Sequence, residues 1–285
     1  MAILTAEELQ EVHPSYAENL PRWRYLISSY NGGFDYRRSG LEMLRKYINE
    51  DQLPNAQYAN RLNYTALENA CKLVVDTYKS FLFRSTPVRA FSNLQENPLV
   101  TDFVEDADLD GTSLDAFIQQ CNTYAMVYGS VWVGMDKPQT QNVTTLAQEL
   151  EGGIRPYATM ITPENVTNWK YERQETGRYE LTQLQVKEAD TDDFTIFRLW
   201  TRETVQRYQY DKQANRAVLL EEVANPITAI PFVQLKANPS ASRGVGMSDI
   251  ADVAKVQQAI FGLLSEAEQN IRISSHPSLV TTPEV

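Results

Sequence analysis

Up to Gly129 the apolar positions of the chain recur at helical spacing; beyond it they alternate. The stretch NLPRWRYLISSYNGG puts Leu20, Trp23, Ile27 and Tyr30 on one face, with Asn19 as a candidate cap and Gly32-Gly33 as a stop. GLEMLRKYI repeats the pattern through Leu41, Leu44 and Ile48 and predicts a second helix, followed by a polar loop from Asn49 to Gln57. NYTALENACKLVVDTYKSFLF predicts the strongest early helix. There Thr65 and Glu68 fit a capping box, Leu67, Cys71, Val74, Tyr78 and Phe81 form a stripe, and Pro87 ends it. TSLDAFIQQCNTYAMVYG predicts another, capped by Thr112, with Leu114, Phe117, Cys121, Tyr124 and Tyr128 on one face and Gly129 as the stop.

The segments SVWVGMD, PYATMI, YELTQLQVKE, FTIFRLWT, TVQRYQYD, AVLLEEV and ITAIPFVQLKA are β-rich and separated by turn residues such as Thr191-Asp192-Asp193. NPSASRG then reads as a hinge. A long helix follows over 248–273, roughly 40 Å at about 1.5 Å per residue. Ser248 is its expected N-cap, and Asp249 and Asp252 lie in its first turn, where the helix dipole favours acids. Ile250, Val253, Ile260, Leu263 or Leu264, Ala267 and Ile271 mark a narrow apolar stripe that Gln257 interrupts. Lys255, Gln258, Glu266, Gln269 and Arg272 lie off it. Pro277 stops the helix, and SLVTTPEV reads as extended. The pattern therefore predicts an α+β fold: a helical N-terminal half, an antiparallel β-rich middle section and a long C-terminal helix. Such a helix cannot bury itself alone. It either docks back on the β section or packs against copies of itself around a ring, and periodicity favours neither.

Composition narrows the function classes. With 42% hydrophobic and 22% charged residues the chain has a globular composition, not a disordered one. No window approaches the roughly eighteen apolar residues of a membrane span, and MAILTAEELQ lacks the basic and apolar regions of a signal peptide. Cys71 and Cys121 fall in helix-patterned segments, as reduced buried thiols of a cytosolic product would. His13 and His276 are the only histidines, too few for a histidine metal site, and His-dependent triads have little to draw on. The net charge of −11 argues against tight binding to nucleic acid, because phosphate neutralisation by Lys and Arg supplies that affinity.

The sharpest local motif is DADLDG. Asp106, Asp108, Asp110 and Gly111 match the first half of a calcium loop, but the position of its final bidentate Glu holds Phe117. An acidic loop before a capped helix is the favoured reading, with a calcium-modulated binding module as an alternative. Together with Asp102 and Glu105 the same acids suggest a metal-dependent nuclease only if carboxylates from separate elements converge, and five acids in one short run do not require that. RWRY (Arg22 to Tyr25), YRRS (Tyr36 to Ser39) and YERQETGRYE (Tyr171 to Glu180) mix basic and aromatic residues; at these spacings the aromatics are expected in the core and the arginines in water. RGVG lacks the lysine and context of a phosphate cradle. No cofactor site is expected.

Several stretches, in order, resemble the bacteriophage portal proteins, the head-to-tail connectors of capsids. They are YANRLNYTALENACKLVVDTYKSFLFRSTPV, LDGTSLDAFIQQCNTYAMVYGSVWVGMDKP, PYATMITPENVTNWKYER with its Pro-Glu-x-Val-x-x-Trp turn, and IPFVQLKA followed by GVGMSDIADVAKVQQAIFGLLSEAEQNI. The resemblance spans nearly the whole chain. It implies a non-enzymatic structural subunit of a ring, dodecameric in the family, through which double-stranded DNA is packaged and ejected. Residues 1–245 would form the wing (helical 1–129, β-rich 130–237, hinge 238–245), 246–273 the stem helix and 274–285 the start of the clip. Lys255, Gln258, Ile260, Leu263, Glu266, Gln269 and Arg272 would line the channel or contact neighbouring subunits. Ser274, His276 and Leu279 would dock the motor or adaptor. Implied partners are further copies of the chain, the major capsid protein, the terminase motor, a tail adaptor and transient double-stranded DNA, with no membrane. The implied location is the head-tail vertex of the virion, after assembly in the host cytoplasm. The rest of the clip, a second stem helix, a tunnel loop and a crown would follow in a complete portal, so the chain is expected to be truncated. Another head-completion or adaptor protein of the virion is the alternative.

Overall fold

A computed structural model describes residues 4–50, 56–94, 97–138, 145, 148–149 and 152–275. The chain is α+β and divides into two compact units. One comprises residues 1–23 and 77–249, the other residues 24–76 and 250–285. Helices α2 (Pro14–Asn31) and α5 (Ala70–Leu82) contribute to both.

The first unit holds the sheets. β1 (Ser130–Asp136) lies between β2 (Tyr157–Ile161) and β8 (Phe232–Lys236), antiparallel to both. A five-stranded antiparallel meander runs β3 (Val166–Arg173), β4 (Tyr179–Asp190), β5 (Phe194–Thr201), β6 (Thr204–Asp211) and β7 (Arg216–Ala224) in chain order. β1, β2, β5, β6 and β8 fall within stretches expected to be extended, β4 and β7 overrun theirs by one or two residues, and β3 was not among them; tight turns such as the one closed by Thr191 Oγ1 and the Phe194 amide at 3.1 Å join the strands. β9 (Asn238–Pro239), in the stretch expected as a hinge, and β10 (Gly246–Met247), just beyond it, form a short ribbon.

α6 (Pro98–Glu105) and α7 (Leu114–Tyr128) complete the helices of this unit after α1 (Ala6–Gln10). Ser113, not Thr112, caps α7 through its Oγ to the Ala116 amide, since the Thr112 carbonyl is taken by the Ala107 amide. Phe117, Cys121 and Ala125 pack with Val131 and Ala158 as one core cluster. Gly129 ends α7 at φ 95°, where a Cβ would sit 2.5 Å from the Gly246 carbonyl oxygen; only glycine fits so close a crossing. Gly244 is similarly pinned, at φ 81°, against the indole of Trp169. These approaches account for the glycines of RGVG without any ligand.

The second unit is helical: the end of α2, α3 (Gly33–Arg38), α4 (Ala56–Tyr64), the start of α5 and α8 (Ala251–Ser275). Two expectations fail here. Residues 41–47 are not helical; Met43 and Leu44 are buried with Tyr36 and Phe261, whereas Ile48 is 82% exposed. Side chains replace helical partners for this backbone: Tyr58 donates to the Leu44 carbonyl at 3.1 Å and Arg61 to that of Arg45 at 2.5 Å. The helix expected over 63–83 is broken at 65–69. Thr65 is buried and turns its hydroxyl back to the Arg61 carbonyl, and Asn69 caps α5 instead, accepting from the Lys72 amide at 2.9 Å. The buried positions of α5 are Cys71 and Val75, while Tyr78 and Phe81, placed on the expected stripe, are exposed.

Candidate assembly face on the terminal helix

Helix α8 begins at Ala251, with its first hydrogen bond from the Ala254 amide to the Ile250 carbonyl. Ser248 donates its hydroxyl to the Met126 carbonyl. The buried stripe is Ile250, Ala254, Gln257, Phe261 and Ser265, a 3.6-residue repeat displaced from the expected one. Phe261 meets the edge of the Tyr36 ring at 5.3 Å.

Gln257, expected to interrupt the apolar stripe, is the polar anchor of the buried one. Its Oε1 accepts from the Cys71 amide at 3.0 Å and its Nε2 donates to the Ser29 carbonyl at 3.0 Å. One side chain thus satisfies an orphan donor near the start of α5 and a carbonyl of α2. Eight residues on, Ser265 accepts from Arg61 at 3.1 Å. Arg61 is itself buried and forks onto Glu50 at 3.0 and 2.8 Å, so that the guanidinium holds the Glu50 carboxyl below its ordinary pKa.

Among the residues expected to line a channel or a subunit contact, Gln258 is bound within the unit. Its Nε2 donates to the Glu42 carbonyl, and its Oε1 lies 3.1 Å from the Tyr25 hydroxyl, whose pKa burial raises to about 12. Glu266 accepts from Tyr47 at 2.6 Å, and Gln269 is half-buried. Lys255 lies over the Tyr25 ring at 4.6 Å, and Arg272 pairs with Glu268 at 3.2 Å. Ile260 and Leu263 point the other way, into solvent. With Val256, Leu264, Ala267 and Ile271 they form a second apolar arc, in which Leu263 is 70% and Ile271 64% exposed. Ser274 is exposed and bonds to the Ile271 carbonyl; His276 and Leu279 lie outside the described residues.

The acidic loop is arranged as a turn. Asp106 accepts from the Gly111 amide at 2.9 Å and pairs with Arg155 at 2.8 Å. Asp108 accepts from the amides of Asp110 and Thr112. Burial tends to raise the Asp108 pKa, but these bonds and the Thr112 hydroxyl outweigh it and hold the carboxyl low. Phe117 is in the core. Among the described residues no group of three or more His, Cys, Asp or Glu side chains is placed to hold a metal ion. In the basic-aromatic stretches Trp23 and Tyr36 are buried, while Arg22, Arg24 and Arg38 are exposed. Among the described residues no helix is long and apolar enough to cross a membrane. Compared with family models and with curated proteins, the chain gives no match.

Proposed function

We propose that this chain is a non-enzymatic subunit of a phage portal ring, which passes double-stranded DNA during packaging and ejection and joins head to tail. The observation that carries the reading is the two-faced helix α8. One face is docked within its own unit, yet the arc of Val256, Ile260, Leu263, Leu264 and Ile271 remains exposed along the same helix. Burying a side chain of this size gains about 1.5–3 kcal/mol, so an arc of five is a strong incentive for association. Copies set side by side by a rotation that closes would cover it all round a ring.

The charge pattern suits a passage for DNA. Between Val245 and Ile273 the basic residues are Lys255 and Arg272, against Asp249, Asp252, Glu266 and Glu268. Each Lys or Arg contact to phosphate adds affinity and salt dependence, which would act as friction on a sliding duplex. An acidic, polar wall keeps contact brief. In this reading the ring sits at the head-tail vertex of the virion after assembly in the host cytoplasm. The major capsid protein, the terminase motor and a tail adaptor are its partners, and ATP hydrolysis belongs to the motor. Negative-stain imaging of the purified protein tests the proposal. Rings with a central hole are the expected outcome, and a purely monomeric population at high concentration overturns it.

A further inference from the structure

The five-stranded sheet has two edges, β3 and β7, and on β3 a further backbone segment is bonded to the strand. On β3, the His13 amide donates to the Thr167 carbonyl at 3.0 Å, the pairing with β4 shifts register twice, and Lys170 and Arg173 stand on the strand. These are the usual means of protecting an edge. β7 carries one bulge and the charges of Arg216, Glu221 and Glu222, but Val218 and Leu220 are 42% and 47% exposed, and among the described residues no strand pairs with its outer side. Every second residue of such an edge turns its N–H and C=O outward.

A cavity of about 470 Å³ lies beside this edge, within the same unit. Its walls include Met135, Trp200, Val205 and Ile227, together with Glu221 and Val223 of β7 itself. A bulge puts those two there. Tyr208 pairs with Leu219 but Arg207 with Glu221, so Leu220 is the extra residue and the alternation is re-phased beyond it. Ala217 and Leu219 therefore serve the cluster around Leu9 and Tyr208, whereas Glu221 and Val223 face the cavity.

The charges in the cavity are unevenly matched. Arg198 is taken by Asp136 and Glu188, Arg207 by Glu188, and Lys137 by Glu149. Among the described residues no cation pairs with Glu221.

We propose that the edge of β7 from Glu221 to Ala224 and the adjoining cavity dock an extended segment of a partner protein as a sixth strand, a Lys or Arg of it opposite Glu221 and an apolar side chain opposite Val223 entering the cavity. Main-chain hydrogen bonds supply the affinity, and the two alternate side chains supply the selectivity. The open apolar arc of α8 plays no part in this site, and the proposal stands apart from the ring reading.

The test is fluorescence anisotropy on the full 285-residue chain with a fluorescein-labelled peptide, Thr-Thr-Leu-Thr-Lys-Thr-Thr, whose Leu and Lys fall opposite Val223 and Glu221 when it pairs antiparallel to β7. Saturable binding is expected, weakened at least about ten-fold by Glu221→Lys and restored on that variant by the peptide with Glu in place of Lys. Methylating alternate backbone nitrogens of the peptide leaves its charge but removes donors, and is expected to abolish binding. Any one of three results overturns the proposal. These are no binding, equal binding of a peptide of the same composition with Lys and Leu adjacent, and undiminished binding of the methylated peptide. Preferential binding of a peptide spanning residues 276–285 also overturns it, in favour of a second copy of this chain as occupant.

Discussion

Gln257 of α8 is held in the core of the second unit between α2 and α5. A polar side chain in an apolar stripe looks like an interruption, yet this one is 1% exposed and satisfies groups on two other helices. Replacing it with Leu keeps most of the volume but strands the Cys71 amide and the Ser29 carbonyl in the core. A loss of about 1–3 kcal/mol is expected, measured by urea unfolding. Arg61 is the second such residue. Arg61→Ala leaves the Glu50 carboxylate buried and unpaired, for an expected cost of about 3–5 kcal/mol, whereas the Arg61→Met, Glu50→Gln double variant should recover part of it. His13 makes a third prediction. It stacks on Trp169 at 4.2 Å, its Nδ1 accepts from the Ser15 amide at 3.1 Å at the start of α2, and burial lowers its pKa from the ordinary 6.5. Protonation removes that acceptor and sets a positive charge at the positive end of a helix. Because the unfolded chain takes up the proton first, the contribution of His13 is complete above about pH 6.5 and declines as pH falls from there through the folded pKa. His13→Gln should flatten this slope in unfolding curves recorded between about pH 7.5 and pH 5. A slope unchanged in the variant would assign it to other groups.

At the scale of elements, the strands were the most legible part. Alternation of apolar and polar residues and the turn residues between them are local properties: β1, β2, β5, β6 and β8 lie within the stretches that alternation marks, β4 and β7 overrun theirs slightly, and only β3 of the longer strands was missed. Helix α7 was equally plain, apart from a cap displaced by one residue. The failures cluster in the second unit, where tertiary partners override helical pattern: Tyr58 and Arg61 hold residues 41–47 out of a helix, and Thr65 and Asn69 break one at 65–69. For α8 the existence and approximate ends of the helix were legible, and so was the apolar arc around Ile260 and Leu263. Hidden from the pattern was a second face, carried by Ala254, Gln257, Phe261 and Ser265, of which only Phe261 is large and apolar. The two faces predict separable effects. Leu263→Asp should leave the stability of the isolated chain within about 0.5 kcal/mol, because Leu263 is 70% exposed there, while sedimentation velocity should show any assembly lost. Phe261→Ala should instead cost about 3–5 kcal/mol in the same chain.

For the whole molecule the governing quantity is charge. With a net −11 and a sequence pI near 4.8, the chain is expected to give no shift of a short DNA duplex in a gel at about 0.15 M salt. Tight, salt-sensitive binding would contradict the sliding-channel account, since many phosphate contacts would then be engaged. Calcium is expected to leave thermal unfolding unchanged, because Asp106 and Asp108 already serve backbone amides and Arg155. A calcium-dependent rise in the unfolding temperature that vanishes in Asp108→Asn would restore the loop as a metal site.

The amino-acid order alone determined what depends on near neighbours: the α+β class, the strands, the helix that closes the described chain, the acidic surface and the expectation of buried thiols. The last is met by Cys71 and Cys121, whose pKa values burial raises to about 11 and about 12. Tertiary structure decided what depends on groups far apart in sequence. It chose which face of α8 is docked, made Gln257 and Arg61 interior anchors, and set a bulge in β7 that turns Glu221 and Val223 toward a cavity. The physical reason is the same in each case. A buried polar group is tolerable only where a partner meets it, and periodicity carries no information about partners on other elements.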